Sequence, residues 1–201
     1  MIKNIAPQLG SLEALLKTAG GRGPPPVERW DPPYCGDIGL KIGRDGTWFY
    51  QGSPIGRLPL VKLFASVLRR DADGRHYLVT PAEKVDVAVE DAPFLAVEME
   101  AQGMGRDQAL LFRTNVDDVV ACGPQHPLRF VVEPGSGGLK PYVLVRGRLE
   151  ALVGRAVYYD LVELVAGGEG SDASDSARGI WSGGAFFAFD AATHPPIQSP
   201  R

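Results

Sequence analysis

The sequence has few of the residues that metal sites and disulfide frameworks need. Its 201 residues include two cysteines and three histidines. Cys35 and Cys122 lie far apart and outside any C-x-x-C pattern, which predicts two reduced thiols in a cytoplasmic protein, with one long-range disulfide as the alternative. The histidines and the dispersed carboxylates show no metal-ligand spacing, so we expect neither a metal site nor a cofactor.

Long apolar runs and an excess of positive charge are also missing. No apolar stretch approaches the roughly 20 residues that span a bilayer, so we expect no membrane insertion. The first ten residues, MIKNIAPQLG, lack the charged-then-apolar design of a signal peptide. The formal net charge of −3 argues against a general nucleic-acid-binding face, but it leaves a local basic site open.

The composition is that of a folded protein, because 44% of the residues are hydrophobic and 22% are charged. The pattern predicts a helix and a proline-rich connector over residues 1–33, and a first α+β unit over 34–91. A second α+β unit is predicted over 92–190 and a disordered tail over 191–201. We therefore expect an α+β fold of two tandem, duplicated small β-rich units, each with one main helix.

The first unit is predicted as hairpin, helix, hairpin. Alternation in DIGLKI and TWFYQ indicates two strands, and the Asp-Gly turn between them is typical of a tight hairpin. The run PLVKLFASVLRR (59–70) has apolar residues at helical spacing after a proline suited to a first turn. RHYLVT and KVDVAVE then predict two more strands.

The second unit is predicted to be richer in strands. They extend from FLAVEMEAQ to YVLVRGRLEAL, and PGSGGLKP is predicted to be a hairpin loop. The run AVYYDLVELV (156–165) predicts a second amphipathic helix. AGGEGSDASDSARG has the composition of a mobile loop, and IWSGGAFFAF predicts a last strand or strand pair.

A Gly-Arg pair precedes both predicted helices. Ile55-Gly56-Arg57 aligns with Val153-Gly154-Arg155, which suggests that the two helices are equivalent parts of a duplication. We expect the glycine to supply an unusual φ angle at the strand-to-helix turn. The arginine then stands at a helix start, where unpaired N–H groups favour anions.

These arginines predict a small anion-binding site between the two units. The candidate ligand contacts are Arg57, Arg155, Arg113, Asn115, His126, Lys62 and Trp48. Some of them have a simpler alternative: Trp48 belongs to the core, Lys62 is solvated and His126 is an ordinary turn residue. Likewise, the two helix-start arginines pair locally with acids such as Asp160 or Asp37.

No residue pattern identifies a reaction, so we predict no catalytic residue. Lys140 in GSGGLKP is followed by a proline and a strand, unlike the lysine of a phosphate-binding loop. Ser182 in GIWSGG lacks the spacing of an esterase elbow. A non-enzymatic ligand-binding protein is therefore favoured over a protein–protein adaptor, and both over a hydrolase that uses Ser182 or His126.

Two long stretches carry a family resemblance. The segments CGDIGLKIGRDGTWFYQGSPIGRLPLVKLFASVLRR and PYVLVRGRLEALVGRAVYYDLVE closely resemble a bacterial family known as domain of unknown function 1285. The resemblance covers roughly residues 34–189. It implies a duplicated α+β fold whose second half is like a pleckstrin-homology domain. It also implies a nucleotide-like ligand at the domain interface and a signalling role.

Overall fold

The computed structural model describes residues 25–133, 136–167 and 178–189, without the side chains of 165–167. The chain divides into two compact units, Met1–Asp91 and Ala92–Arg201. Each combines one six-stranded sheet with one main helix, so the predicted α+β, duplicated architecture is confirmed. The helix predicted near the N-terminus, the polar loop after the second helix and the tail lie essentially outside the described residues.

The first unit contains one mixed sheet with the order β3-β2-β1-β6-β5-β4. Its strands are β1 (Leu40–Ile42), β2 (Trp48–Tyr50), β3 (Ser53–Pro54), β4 (Leu68–Arg70), β5 (His76–Val79) and β6 (Lys84–Val89). All neighbours are antiparallel except β1 and β6, which pair in parallel with Leu40 opposite Val87. The predicted Asp-Gly turn joins β1 to β2, and Gly46 has φ 77° there.

Helix α1 (Leu58–Ser66) connects β3 to β4 and buries Leu60, Val61, Phe64 and Ala65. The prediction of a helix up to Arg70 was wrong at its C-terminal end. Val67 caps the helix, and the next three residues enter β4, where they pair with β5. Helical spacing alone did not reveal this end because strand pairing outweighs local propensity.

The predicted proline-rich connector is attached to the first unit where it is described. Val27–Arg29 forms a single 3₁₀ turn. Tyr34 then forms a parallel bridge with Lys84 of β6. The residues before β1 therefore extend the first sheet.

The second unit contains a sheet with the order β10-β11-β12-β7-β8-β9. Its strands are β7 (Phe94–Gln102), β8 (Ala109–Thr114), β9 (Val119–Ala121), β10 (Leu128–Val132), β11 (Leu139–Arg146) and β12 (Leu149–Val153). A parallel pairing of β7 with β12, Leu95 opposite Leu152, joins two antiparallel three-stranded halves. The six strands thus repeat the arrangement of the first unit.

Helix α2 (Arg155–Gly167) follows β12 and buries Val157 and Leu161. IWSGGAFFAF forms the predicted strand pair, β13 (Gly179–Ser182) with β14 (Ala185–Ala188), as a separate two-stranded sheet. The predicted pleckstrin-homology likeness of the second unit stays a prediction.

The two helices do not occupy equivalent places in the strand order. Helix α1 lies between the third and fourth strands of its sheet, whereas α2 follows the sixth. Gly56 and Gly154 therefore mark different connections, and the alignment of the two Gly-Arg pairs as one duplicated element was wrong. The duplication is a property of the sheets.

Candidate functional site

The start of α2 is held against β7 by a close backbone approach. The Gly154 N–H donates to the Ala96 carbonyl at 2.9 Å, and the Gly154 carbonyl accepts the helical bond from Tyr158. A Cβ on Gly154 would stand 3.0 Å from that same Ala96 oxygen. Neither Gly154 nor Gly56 has a positive φ, so the predicted conformational reason for glycine was wrong. Close approach explains Gly154, while a Cβ on Gly56 would meet nothing within 4 Å.

Arg155 is the first residue of α2, and its side chain is exposed. Its Nε and Nη2 donate to the Tyr159 hydroxyl at 3.3 and 3.2 Å, and its guanidinium lies 5.8 Å from the centre of the Tyr159 ring. Asp160, the acid considered from the sequence, is not its partner. Among the described residues, the Arg155 guanidinium thus bonds to a hydroxyl rather than to a carboxylate, next to the N–H groups of a helix start.

Arg113, on β8, has a different environment. Its Nε donates to Glu98 at 2.7 Å, its Nη2 donates to the same carboxylate, and its Nη1 donates to Asp117 at 2.7 Å. The hydrogen bonds that Arg113 donates to Glu98, and to a smaller extent to Asp117, raise its pKa. Arg113 in turn lowers the pKa of Glu98. Two carboxylates therefore neutralise this arginine, which holds the β7–β8 pair and the following turn together.

Asn115 fastens the beginning of β7. Its Oδ1 accepts from the Leu95 N–H at 3.1 Å, and its own N–H donates to the Leu95 carbonyl at 2.8 Å. Asn115 thus contacts Leu95 from the β8 side, while Gly154 contacts the next residue, Ala96, from the β12 side. Asn115 follows β8 and Arg155 follows β12, the two strands that flank β7.

His126 lies elsewhere in the second sheet. Its Nδ1 is 3.0 Å from the Leu144 carbonyl, so Nδ1 carries the proton and donates. Leu144 is opposite Glu150, near the start of β12, whereas Arg155 follows the end of that strand. His126 and Arg155 are therefore at opposite ends of β12.

The remaining predicted residues belong to the first unit. Arg57 is the N-cap of α1: its carbonyl accepts from Leu60 and Val61, and its side chain is exposed. Lys62 is half-buried one turn later. Trp48 requires a correction, because it is 1% exposed and its ring centre lies 6.2 Å from that of Phe64. It is a core residue, and a ligand cannot reach it from solvent.

Ser182 has a structural environment rather than that of a nucleophile. It is fully buried, accepts from the Leu110 N–H at 2.9 Å and donates to the Cys122 carbonyl at 2.8 Å. Both bonds are to backbone groups, so the hydroxyl joins β13 to β8. Cys122 is itself buried, which raises the pKa of its thiol to about 11. Cys35 is exposed, and both thiols are free, as predicted.

The part of the chain that the structure describes contains no group of three or more His, Cys, Asp or Glu side chains placed to hold a metal ion. The same residues contain no helix long and apolar enough to cross a membrane. Tyr159 was not predicted as a partner of Arg155. Its position four residues further along a predicted helix was the available signal, because such residues are neighbours on one helix face.

Family models match both units. The model for the N-terminal domain of the domain of unknown function DUF1285 matches residues 25–92, and the model for the C-terminal domain matches residues 93–189. No curated protein matches the chain.

Two crystal structures of DUF1285 family proteins are similar to this one. The protein from Silicibacter pomeroyi DSS-3 is 47% identical, with a TM-score of 0.78 over 88% of this chain and 93% of that one. The protein from Shewanella baltica OS155 is 29% identical, with a TM-score of 0.50 over 63% of this chain and 92% of that one. These matches confirm the resemblance found in the sequence: the chain belongs to the DUF1285 family.

Proposed function

We propose that the protein is a non-enzymatic sensor that binds a small phosphate-bearing, nucleotide-like anion at the start of α2. The observation that carries the proposal is the state of Arg155. Its guanidinium is exposed, and among the described residues it is bonded to the Tyr159 hydroxyl alone. A cation without a carboxylate partner, at a helix start, is a suitable contact for a phosphate.

The contrast with Arg113 supports this assignment. Arg113 donates to two carboxylates and has no charge left to neutralise on a ligand. Arg155 lies on the β12 side of β7, where the Gly154 N–H donates to the Ala96 carbonyl. The strands therefore fix the backbone just before Arg155, and no described carboxylate neutralises its guanidinium. Such a preorganised cation favours tight binding of an anion.

The ligand class follows from the groups around Arg155. A guanidinium presents parallel N–H donors that match two oxygens of a phosphate, and a helix start adds backbone N–H groups and a favourable dipole. Tyr159, 51% exposed, adds an aromatic ring on which a base can stack. Phosphate and a flat ring together describe a nucleotide-like molecule.

Thermal-shift measurement and calorimetry with inorganic phosphate, pyrophosphate and mononucleotides test this proposal. A ligand at 100 times its Kd should stabilise the protein by about 2.7 kcal/mol. Arg155→Ala should abolish this stabilisation, and Arg155→Lys should weaken it because it keeps the charge but loses the two parallel donors. Arg148→Ala is the matched control: this exposed arginine lies in the β11–β12 turn, at the other end of β12.

Retained binding in Arg155→Ala would refute the site. No stabilisation by any member of the series would refute the ligand class. An adaptor role is the second candidate, and the exposed Val119 and Val132 on the edge strands β9 and β10 favour it, since open edges pair with other chains. It predicts that Val119→Lys weakens capture of a partner protein and leaves anion binding unchanged.

A further inference from the structure

Part of one face of the first sheet carries polar and charged side chains. Arg69, Tyr77 and Asp86 stand opposite one another on β4, β5 and β6. Lys84 lies 4.6 Å from the Tyr77 ring centre, and Arg75 donates to Asp86. We refer to these five residues as the polar face.

Three of the five residues of the polar face are buried although the face is charged, whereas Arg75 is exposed. Arg69, Tyr77 and Asp86 are 8%, 3% and 8% exposed. A hydrogen bond to Asp73 raises the pKa of Tyr77 to about 12, so the phenol stays a donor at neutral pH. Asp71 accepts from Arg69 at 2.6 Å and from Lys84 at 3.1 Å. Charged and polar side chains that would otherwise be hydrated are thus paired with one another.

Residues 25–36, which we refer to as the strap, contact the polar face. Arg69 Nη1 donates to the carbonyls of Val27 and Trp30, both at 2.7 Å. The Tyr34 hydroxyl donates to Asp86, and the Tyr34 ring makes an edge contact with Tyr77 at 6.2 Å. The contacts to the strap are therefore made through backbone carbonyls and one phenol.

The strap also pairs with β6 before β1 begins. Lys84 N–H donates to the Pro33 carbonyl at 3.0 Å, Cys35 N–H to the Lys84 carbonyl at 2.8 Å, and Asp86 N–H to the Gly36 carbonyl at 3.1 Å. Gly36 has φ 91°, a left-handed conformation, and separates this short pairing from β1. The strap is thus a peptide paired with the part of β6 that β1 does not reach, beside a glycine that can act as a hinge.

The strap buries little apolar surface. From Pro25 to Asp37 one residue, Pro32, is buried. Segments with few buried apolar contacts open at a lower free energy than the core of their domain. Opening would expose a row of polar groups and would leave the N–H groups of Lys84 and Asp86 unpaired on the part of β6 that β1 does not reach, which is a surface suited to another extended peptide.

We propose that the polar face is a binding surface for an extended, proline-containing peptide segment, which the strap occupies within the same chain and leaves as a unit by rotation at Gly36. The incoming segment presents carbonyls to Arg69, an aromatic hydroxyl to Asp86 and one strand edge to β6. While closed, the strap is an autoinhibitory ligand. This proposal concerns the first unit and is independent of the anion site in the second.

The full-length protein and a fluorescent synthetic peptide of residues 24–37 test the proposal by anisotropy. Unmodified protein should bind the peptide weakly, because the linked strap competes at a high effective concentration. The strap variant Pro32→Ala/Tyr34→Ala loses the buried proline and the phenol but keeps the polar face, and should bind at least tenfold more tightly. Adding Arg69→Gln to it should remove that gain. Glu28→Ala, an exposed strap position, is the control and should behave like the unmodified protein.

Hydrogen exchange of the unmodified protein gives a second measurement that does not depend on a variant folding. The amides of Cys35, Lys84 and Asp86 should exchange together, at least tenfold faster than the amide of Val79, which bonds to Val67 inside the same sheet. Exchange of all four amides at one rate would show that the strap opens only when the unit unfolds, and would overturn the proposal. A folded strap variant that does not bind the peptide would overturn it as well.

Discussion

The two units share a strand order and differ in where the helix joins it. In each sheet two antiparallel three-stranded halves meet through one parallel pair, β1 with β6 or β7 with β12. Helix α1 leaves the first sheet after its third strand, whereas α2 leaves the second sheet after its sixth. The repeated element is therefore the sheet, and the helix that packs on it is connected at a different point in each unit.

This difference changes the meaning of the two Gly-Arg pairs. Both arginines stand at a helix start, but Arg57 is an N-cap after an edge strand, and Arg155 follows a central strand that pairs with β7. Gly154 is required by its contact with Ala96, and Gly56 has open space around it. Similar local sequence thus arose at two places with different packing, and any anion-binding role has to be judged separately for each.

The largest expected effect tests whether both helices are integral to their units. Phe64 and Leu161 are each fully buried on α1 and α2. Phe64→Ala should lower the free energy of unfolding by about 3–5 kcal/mol and Leu161→Ala by about 2–5 kcal/mol, because each leaves a cavity. Urea denaturation measures both. Val162→Ala, 37% exposed on α2, should change stability by less than about 0.5 kcal/mol. A loss below about 1 kcal/mol for either buried position would show that its helix is peripheral.

The second expected effect is a pH dependence from the first unit. Burial, with a smaller contribution from the charge of Arg70, lowers the pKa of His76 from 6.5 to about 4. The unfolded chain then binds the proton more readily, so the contribution to stability is complete above pH 6.5 and is lost as the pH falls toward 4. The maximum loss is about 3 kcal/mol.

Denaturation at pH 7, 5.5 and 4.5 measures this loss. His76→Gln should remove most of the change in stability between pH 6.5 and 4. Arg70→Gln removes the charge opposite His76 on β4, so it should make the change in stability smaller. An unchanged slope in His76→Gln would assign the acid sensitivity to other groups.

The third expected effect concerns the β13–β14 hairpin of the second unit, which has no counterpart among the described residues of the first unit. Ser182→Ala leaves the buried Leu110 N–H without its acceptor, which should cost about 1–3 kcal/mol. Ser182→Cys should cost less, because it keeps a weak acceptor at the same place. Thermal unfolding followed by circular dichroism compares the two. A Ser182→Ala protein of unchanged stability that lost a hydrolytic activity would instead support the hydrolase alternative.

The sequence predicted most elements because their signals are local. The Asp-Gly turn before Trp48, the alternation in β6 and the apolar stripe of α2 each depend on neighbouring residues. The end of α1 at Ser66 was not predictable in this way, since β4 is stabilised by pairing with β5, which follows later in the chain. Strand order likewise depends on contacts distant in sequence. Local sequence similarity at the two helix starts therefore made the helices look equivalent although they are not.

The candidate site was predictable in part for the same reason. Helix-start arginines follow from local pattern, and Arg155 lies where the pattern places it. The hydrogen-bond partners of an arginine do not follow from the local pattern. Arg113 bonds to Glu98 because their strands pair, and Arg155 bonds to the Tyr159 hydroxyl instead of Asp160. Trp48 was ambiguous because a strand pattern does not say which face is covered, and α1 covers the face that contains it.

The smallest expected effect separates the two glycines. Gly154→Ala places a Cβ 3.0 Å from the Ala96 carbonyl oxygen, a backbone atom that moves only if β7 moves, so it should cost about 1 kcal/mol or more. Gly56→Ala meets nothing within 4 Å and has no left-handed φ to lose, so it should leave stability unchanged or raise it by about 0.4–1 kcal/mol by restricting the unfolded chain. Equilibrium urea denaturation of the two variants, side by side, measures the difference. Because the two positions carry the same substitution, the intrinsic preference of alanine over glycine is common to both. Equal effects of the same sign would mean that the close approach of Gly154 to the Ala96 carbonyl is not what requires glycine at this position.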